Sequence, residues 1–336
     1  MGKKQVTIRD IAKIAGVSEA TVSVAINGKP GVSDSVREKI IKIAKKINYQ
    51  PNEVARQLIT RKAKTIGMIV KDIANPFYSE ITHAIEDYIY KKGYSLLLVS
   101  SNELHDKEVG AVNLLRRKQV SGLIIVPLLY NVNLDHIKML SDIGLPHVLI
   151  SPPVKEIRSN YIYNDDLGGA KEATKHLINK GYKKIGFACG PNTSISSKMR
   201  LDGYKEALIE SGLEVNNSTI FLCGATIKSG ISLTNKILNN KNIKIDALIC
   251  YNDLVAIGVL VELRRFNYHV PKDLAVVGFD NIEVTEVLNP SLTTVNIPKY
   301  EIGLQAIKLL FNIIESKENR YNQIVLPTKL VIRDST

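Results

Sequence analysis

The chain has 336 residues, with 45 Lys and Arg against 33 Asp and Glu, a net charge of +12, and 45% hydrophobic residues. That length exceeds one small domain and that composition is too apolar for a disordered chain, so two or three packed domains are expected. No run of 18 consecutive apolar residues occurs, MGKKQVTIRD offers no apolar stretch for a secretory signal, and Val6 breaks the myristoylation pattern, so a cytoplasmic chain with no membrane partner is expected.

The three cysteines, Cys189, Cys223 and Cys250, are odd in number, far apart and set in apolar runs, as small core residues of a reducing compartment would be. The positive charge is spread unevenly. The first 62 residues hold 13 Lys and Arg and 5 Asp and Glu, whereas the remaining 274 hold 32 and 28. Concentrated cationic charge suits a polyanion, because neutralising phosphates releases condensed counterions. A plain solvated basic surface is the competing explanation.

In chain order, residues 7–60 read as short helices without a strand. Thr7-Ile8-Arg9-Asp10 has the form of a capping box, and Ile8, Ile11, Ala12 and Ala15 follow at helical spacing. Gly16 ends that helix and Ser18 caps the next, which turns Val22, Ala25 and Ile26 inward before NGKPG breaks it. A third helix is expected from Ser33 or Ser35, with Ser35-Val36-Arg37-Glu38 as a second capping box and Val36, Ile40, Ile43, Ala44 and Ile47 buried. YQPN then interrupts, and NEVARQLIT makes a fourth, very short helical segment.

From Thr65 the pattern changes to apolar runs alternating with helical segments: TIGMIV, YSLLLVS, GLIIVP, HVLI, KIGFACG, TIFLCG, ALICYN and LAVVGFD. Runs apolar on both faces and separated by helices imply parallel sheets covered on both sides. So many units are better divided between two doubly wound lobes than placed in one sheet. Crossovers are expected around Asn160–Asp165 and Asn289–Pro298, with a last helix over Lys299–Ser316 and final strands in QIVLPTKLVI.

Two helices meeting at Gly16 in a basic module, the second with Glu19, Ala20, Ser23 and Asn27 outward, match a helix-turn-helix whose second helix enters the major groove. Short outward side chains let that helix approach base edges. An ordinary three-helix cap is the competing reading.

The segment VTIRDIAKIAGVSEATVSVAINGKPGVSDSVREKIIKIAKKINYQPNEVARQL resembles the DNA-binding headpiece of the LacI/GalR family of bacterial transcription regulators. The likeness continues through TIGMIV with NPFY, RLDGY, YNDLVAIG, VVGFDN, PSLTTV and VIRDST, and so covers essentially the whole chain. It implies an all-α helix-turn-helix headpiece over 1–50, a hinge helix and linker over 51–63, and an α/β two-lobed periplasmic-binding-protein-like domain with parallel sheets over 64–336. The lobes are expected at about 64–162 plus 292–325 and 163–291 plus 326–336.

The resemblance assigns base reading to Glu19, Ala20 and Val24. Many relatives carry Arg where Val24 stands, so a bidentate guanine contact gives way to apolar contact, for instance with a thymine methyl. Glu19 either accepts from a cytosine amino group or simply favours the helix N-terminus. Thr7, Ser23, Asn27 and Ser33 match phosphate-contacting positions, which set register without reading sequence. Asn52, Ala55 and Leu58 match the hinge helix, with Leu58 as the wedge between base steps and Ala55 packing paired hinges in the minor groove. At about nine residues this helix is marginal alone in water.

The resemblance also places an effector between the lobes, at the carboxyl ends of strands. Phe77, Tyr78, Arg200, Asn252 and Asp280 all follow strands: Arg200, Asn252 and Asp280 would hold ligand hydroxyls, and Phe77 or Tyr78 would pack on a ring face. Ser151 and Pro152 stand where several relatives have an acidic residue and an aromatic ring, and Ser194, Ser196 and Thr226 replace larger contacts of purine-sensing members. A sugar is therefore favoured over a nucleobase. The chain ends at RDST without a heptad extension, so a homodimer on a palindromic double-stranded operator is expected, with no cofactor and no metal.

GxxxxGK[ST], GxGxxG, HExxH, GxSxG and CxxC are all missing, and the six histidines lack metal-ligand spacing, so no enzymatic activity is expected. The favoured reading is a ligand-controlled repressor of carbohydrate-utilisation genes. A cytosolic solute-binding protein without a DNA role and a regulator sensing a nucleobase are the alternatives.

Overall fold

The computed structural model describes residues 6–49, 64–129, 132–316 and 321–336, and the chain divides into two units, Met1–Ala63 and Lys64–Thr336. In the first unit α1 (Ile8–Ala15) opens at Thr7, whose amide and hydroxyl both donate to Oδ2 of Asp10, at 2.9 and 2.8 Å. Gly16 closes it at φ 71°, a left-handed conformation that costs glycine little. α2 (Glu19–Ile26) begins at Ser18, whose hydroxyl accepts from the Thr21 amide at 3.1 Å.

α3 (Asp34–Lys46) has Ser33 as its N-cap, the first of the two expected starts, and so begins two residues earlier than a Ser35 box requires. Ser35 falls inside the first turn, where its hydroxyl lies 3.3 Å from that of Ser33, and no Ser35–Glu38 box forms. The core of the unit is Ile11, Ala12, Ala15, Val22, Ala25 and Ile40, with Val36, Ile43, Ala44 and Ile47 only partly covered, contrary to expectation. Cations from α3 complete the ends of the other two helices. Lys39 donates to the Ala15 carbonyl at 3.0 Å, and Arg37 to those of Ala25 and Lys29 at 3.0 and 2.7 Å. The expected hinge helix, with Asn52, Ala55 and Leu58, lies outside the described residues.

The second unit contains two six-stranded sheets. The first runs β11 (Gln323–Leu326), β5 (Asn160–Asn164), β4 (His147–Ile150), β3 (Gly122–Ile125), β1 (Thr65–Val70) and β2 (Ser95–Ser100), parallel throughout. The second runs β12 (Lys329–Val331), β10 (Thr293–Asn296), β9 (Ala275–Asp280), β8 (Ala247–Cys250), β6 (Ile185–Cys189) and β7 (Ile220–Leu222). Only β12 is antiparallel to its neighbour there. The inner strands β3, β4, β6, β8 and β9 are buried along their whole length, as runs apolar on both faces require.

The helices are α4 (Pro76–Lys91), α5 (His105–Arg117), α6 (Asp135–Asp142), α7 (Asp166–Asn179), α8 (Ile195–Glu210), α9 (Ile227–Asn239), α10 (Asp253–Arg265) and α11 (Lys299–Ser316). The chain passes between the sheets three times: after β5, between β10 and α11, and between β11 and β12.

The crossover expected around Asn160–Asp165 lies at the end of that stretch: NYIYN is itself a strand of the first sheet, paired with both β4 and β11, and the chain leaves for the second sheet directly after it. The expected lobe boundary at 292 gives way because Thr293–Asn296 extends the second sheet beside β9, with Thr293 opposite Val277. The β-branched run simply continues the sheet before Ile297-Pro298 leads away.

Candidate functional site

Parallel strands point their carboxyl ends at one side of each sheet, and those ends, with the helix starts that follow, line a cavity of about 70 Å³ in the second unit. Asn75 caps α4, accepting from the Phe77 amide at 3.0 Å, with Pro76 in the first turn. Ser194 caps α8 and Asn252 caps α10. Three helix N-termini thereby open onto the same space, which favours electronegative ligand atoms.

Of the residues expected to hold an effector, Phe77, Tyr78, Ser151, Ser194, Arg200, Asn252 and Asp280 line this cavity, and Thr226 does not. Thr226 is exposed and caps α9, its hydroxyl accepting from the Ser229 amide at 3.2 Å, so its neighbour Ala225 forms the wall instead. Asn252 is largely committed to the protein. Its Oδ1 accepts from the Val255 amide at 2.9 Å and its Nδ2 donates to the Ala225 carbonyl at 3.0 Å.

Arg200 is committed as well. Its Nε donates to Oδ1 of Asp166 at 2.6 Å, Nη1 donates to the Tyr251 carbonyl, and Nη2 lies 3.6 Å from Asp280. The guanidinium stacks 3.7 Å from the Phe279 ring centroid and 4.9 Å from that of Tyr251. Burial works against its charge, but Asp166 and then Asp280 hold it protonated and push its pKa up. A backbone contact makes this pair possible. A Cβ on Gly203 of α8 would stand 2.2 Å from the Leu167 carbonyl, so only glycine lets α7 approach closely enough to bring Asp166 to Arg200.

Asp280 adds open accepting capacity. It is buried at φ 115°, a conformation rare for any residue with a side chain, and among the described residues its carboxylate has Arg200 as an ion-pair partner at 3.6 Å but accepts no hydrogen bond. Burial pushes its carboxyl well above the usual range, with Arg200 opposing. Asp253, buried behind it, is pushed up to about 7 by burial, although the Thr294 hydroxyl and the Ile282 amide donate to it at 2.6 and 2.8 Å.

Several lining residues were missed by sequence reasoning: Lys71, Glu103, Tyr163, Asn164 and Tyr251. Burial pushes the Lys71 ammonium down with Glu103 opposing, pushes the Glu103 carboxyl up, and raises the Tyr251 phenol to about 12. Asn164 Nδ2 and Asp166 Oδ2 are buried without a hydrogen-bond partner. The signal was the one used for Asp280: Lys71, Asn164 and Tyr251 each directly follow or end a strand run.

In the first unit Glu19 and Ala20 are exposed and Ser23 and Val24 half-buried on α2. Glu19 lies 3.8 Å from Arg9 of α1, a contact between exposed groups that leaves both free to rearrange. Asn27 ends α2 and donates to the Ser23 carbonyl at 2.8 Å, while Thr7 and Ser33 precede α1 and α3. Thr7 and Ser33 therefore stand at helix N-termini, where backbone amides also point outward, whereas Ser23 lies within α2 and Asn27 at its carboxyl end.

The comparisons with known proteins agree with this layout. Residues 7–52 match bacterial regulatory proteins of the lacI family, and residues 174–336 match a periplasmic binding protein-like domain. The HTH-type transcriptional repressor PurR of Vibrio vulnificus is 32% identical over 331 residues, which cover 98% of each chain. The chain belongs to the LacI family of bacterial regulatory proteins. Among solved LacI-type structures, the lac repressor dimer bound to operator and the anti-inducer ONPF aligns with a TM-score of 0.88 at 28% identity, covering 99% of both chains. The transcriptional regulator CelR–cellobiose complex aligns with a TM-score of 0.75 at 29% identity, covering 99% of this chain and 100% of that one.

Membership makes the chain a DNA-binding transcriptional regulator with an effector-binding domain. No helix among its described residues is long and apolar enough to cross a membrane.

Proposed function

We propose that this LacI-family chain represses carbohydrate-utilisation genes as a homodimer on a palindromic operator, with a sugar in the cleft as effector. The observation that carries the sugar reading is the buried Asp280 carboxylate, which accepts no hydrogen bond from the described residues and lines a cavity bordered by Phe77, Tyr78 and Tyr251. Ligand hydroxyls would satisfy that acceptor and the pyranose or furanose face would lie on a ring. CelR, a structural neighbour, was solved with cellobiose.

The homodimer is supported by the two sheet edges. Leu97 and Leu98 on β2 and Leu222 on β7 are exposed on strands with an open side, a combination that folded proteins cover. Glu19, Ala20 and Val24 would read bases, and Asn52, Ala55 and Leu58 would form the paired hinge. Effector control then follows from a ligand that binds one relation of the lobes better than another.

Mobility shifts with the upstream region of the chain's own gene test the DNA reading. A retarded complex on a palindromic site, weakened by Leu58→Ala more than binding to random duplex is weakened, is expected. No retardation at low salt overturns it. Thermal shifts against D-ribose, D-glucose, cellobiose and hypoxanthine test the effector. Stabilisation by a sugar that disappears in Asp280→Ala is expected, and stabilisation by hypoxanthine alone replaces sugar with nucleobase.

A further inference from the structure

Lys299 is the first residue of α11, on the second passage between the sheets, and it is 3% exposed. A buried ammonium is costly unless its three protons are all accepted. Here they are. Nζ donates to the carbonyls of Asp280 and Asn281 at 2.8 and 2.9 Å and lies 3.3 Å from Oε1 of Glu80 on α4.

The two carbonyls belong to an unusual turn. Asp280 and Asn281 have φ of 115° and 52°, two successive residues with side chains in the left-handed half of conformational space. Such residues persist only when their surroundings hold them. The Asn281 amide donates to Thr294 Oγ1 at 3.3 Å, its Nδ2 to Asn296 at 3.0 Å, and its Oδ1 accepts from Arg333 at 3.0 Å. All of these grip Asn281. Lys299 supplies the side-chain hydrogen bond to the backbone of Asp280, the residue whose carboxylate faces the cleft.

We propose that Lys299 is a positioning residue for the effector cleft, holding the Asp280–Asn281 turn in its strained form and, through Glu80, tying it to the first lobe. The aim of the Asp280 carboxylate is then set by where α4 stands relative to β9. A methionine at 299 would fill similar volume but leave two inward carbonyls without a donor. It would also remove a cation whose field favours the ionised, hydroxyl-accepting forms of Asp280 and Asp253. The part concerning ligand affinity rests on the cleft being the effector site, whereas the part concerning the turn does not.

The test uses the full chain with Lys299→Met, Lys299→Arg and Glu80→Gln. Amide hydrogen exchange is followed in peptides covering 278–283 and, as reference, β6. Lys299→Met should accelerate exchange in 278–283 by about tenfold or more over any change in β6, as loss of hydrogen bonds to a charged donor implies. Lys299→Arg should restore most of the protection and Glu80→Gln should give a smaller acceleration. Equal acceleration in both regions, or none at 278–283, overturns the positioning role, and an unchanged Glu80→Gln overturns the tie to α4. Should Lys299→Met fail to fold, the half-exposed Glu80 carries the same comparison.

In parallel, D-ribose, D-glucose and cellobiose are titrated against parent and variants. A sugar that binds the parent should lose affinity by about tenfold in Lys299→Met and recover to within a few-fold in Lys299→Arg. Unchanged affinity in Lys299→Met overturns control of the cleft. If none of the sugars binds the parent, the sugar effector is rejected while the exchange data still decide the turn.

Discussion

In residues 6–49 the cations lie at the periphery and face helix ends: Arg37 and Lys39 close α2 and α1 from outside a core of only six fully buried side chains. In the second unit the charges lie inside. Asp166, Arg200, Asp253, Asp280 and Lys299 are all buried, within cores large enough to hold them. A small unit has too little apolar burial to offset desolvated charge, so its electrostatics must be spent outward, on a partner. A larger unit can keep a charged network dry, and such a network can then answer to whatever enters the cleft between its members.

Three measurements press on this contrast. The largest effect is expected from Arg200→Met, which leaves Asp166 and Asp280 buried without their cation and should destabilise the second unit by about 3–5 kcal/mol. The chain has 14 tyrosines and no tryptophan, and Tyr49 alone lies within the first 63 residues, so denaturation followed by tyrosine emission reports on the second unit. A loss below about 1 kcal/mol would mean that the interior charges are spectators.

The next effect is on pH dependence. The Asp253 carboxyl is raised from 3.8 to about 7 in the folded chain, so between those values the folded state binds more proton than the unfolded one. Stability of the second unit should therefore fall as pH rises from about 4 to about 7 and level off above, by up to about 1.4 kcal/mol per unit. Asp280, also raised by burial, acts in the same sense. Melting temperatures across this window should show the slope, and Asp253→Asn should flatten it; an undiminished slope assigns the titration elsewhere.

The smallest effect belongs to the first unit, where Thr7→Ala removes the hydroxyl half of the Asp10 cap and should cost about 1 kcal/mol. Amide exchange should quicken in α1 and stay as it was in the sheets. A change spread over both units would contradict their separate cores.

Much of this was legible in the residues, and for identifiable reasons. Eight strands announced themselves as apolar runs, from TIGMIV at β1 to LAVVGFD at β9; six of them are buried on both faces and need no polar alternation, while β2 and β7 are apolar edge strands that remain largely exposed. β5 and β10 did not, since NYIYN and TTVN are short and flanked by asparagine, and only their neighbours in the sheet make them strands. The cleft residues came from the family resemblance, joined by the carboxyl-end rule for Phe77, Tyr78, Arg200, Asn252 and Asp280, and seven of the eight line one cavity. The resemblance misjudged Thr226, whose hydroxyl serves its own helix start, and the carboxyl-end rule passed over Lys71 and Tyr251, to which it applies equally. Lys299 was beyond reach, because nothing local to IPKYE says that its ammonium meets carbonyls 18 and 19 residues earlier and a carboxylate on α4.

The three passages between the sheets bear on how the chain is made. The first sheet waits for Gln323–Leu326 to complete its edge, and the second waits for Lys329–Val331. On the ribosome, therefore, neither half of the second unit can be finished until nearly the whole chain is made, although most of the first is synthesised by residue 164. β5 emerges with one flank open, some 160 residues ahead of the strand that will cover it. Such late closure makes folding slow and leaves a nascent edge exposed to mispairing, so the yield of intact protein should depend on the pace of translation as much as on the finished fold's stability.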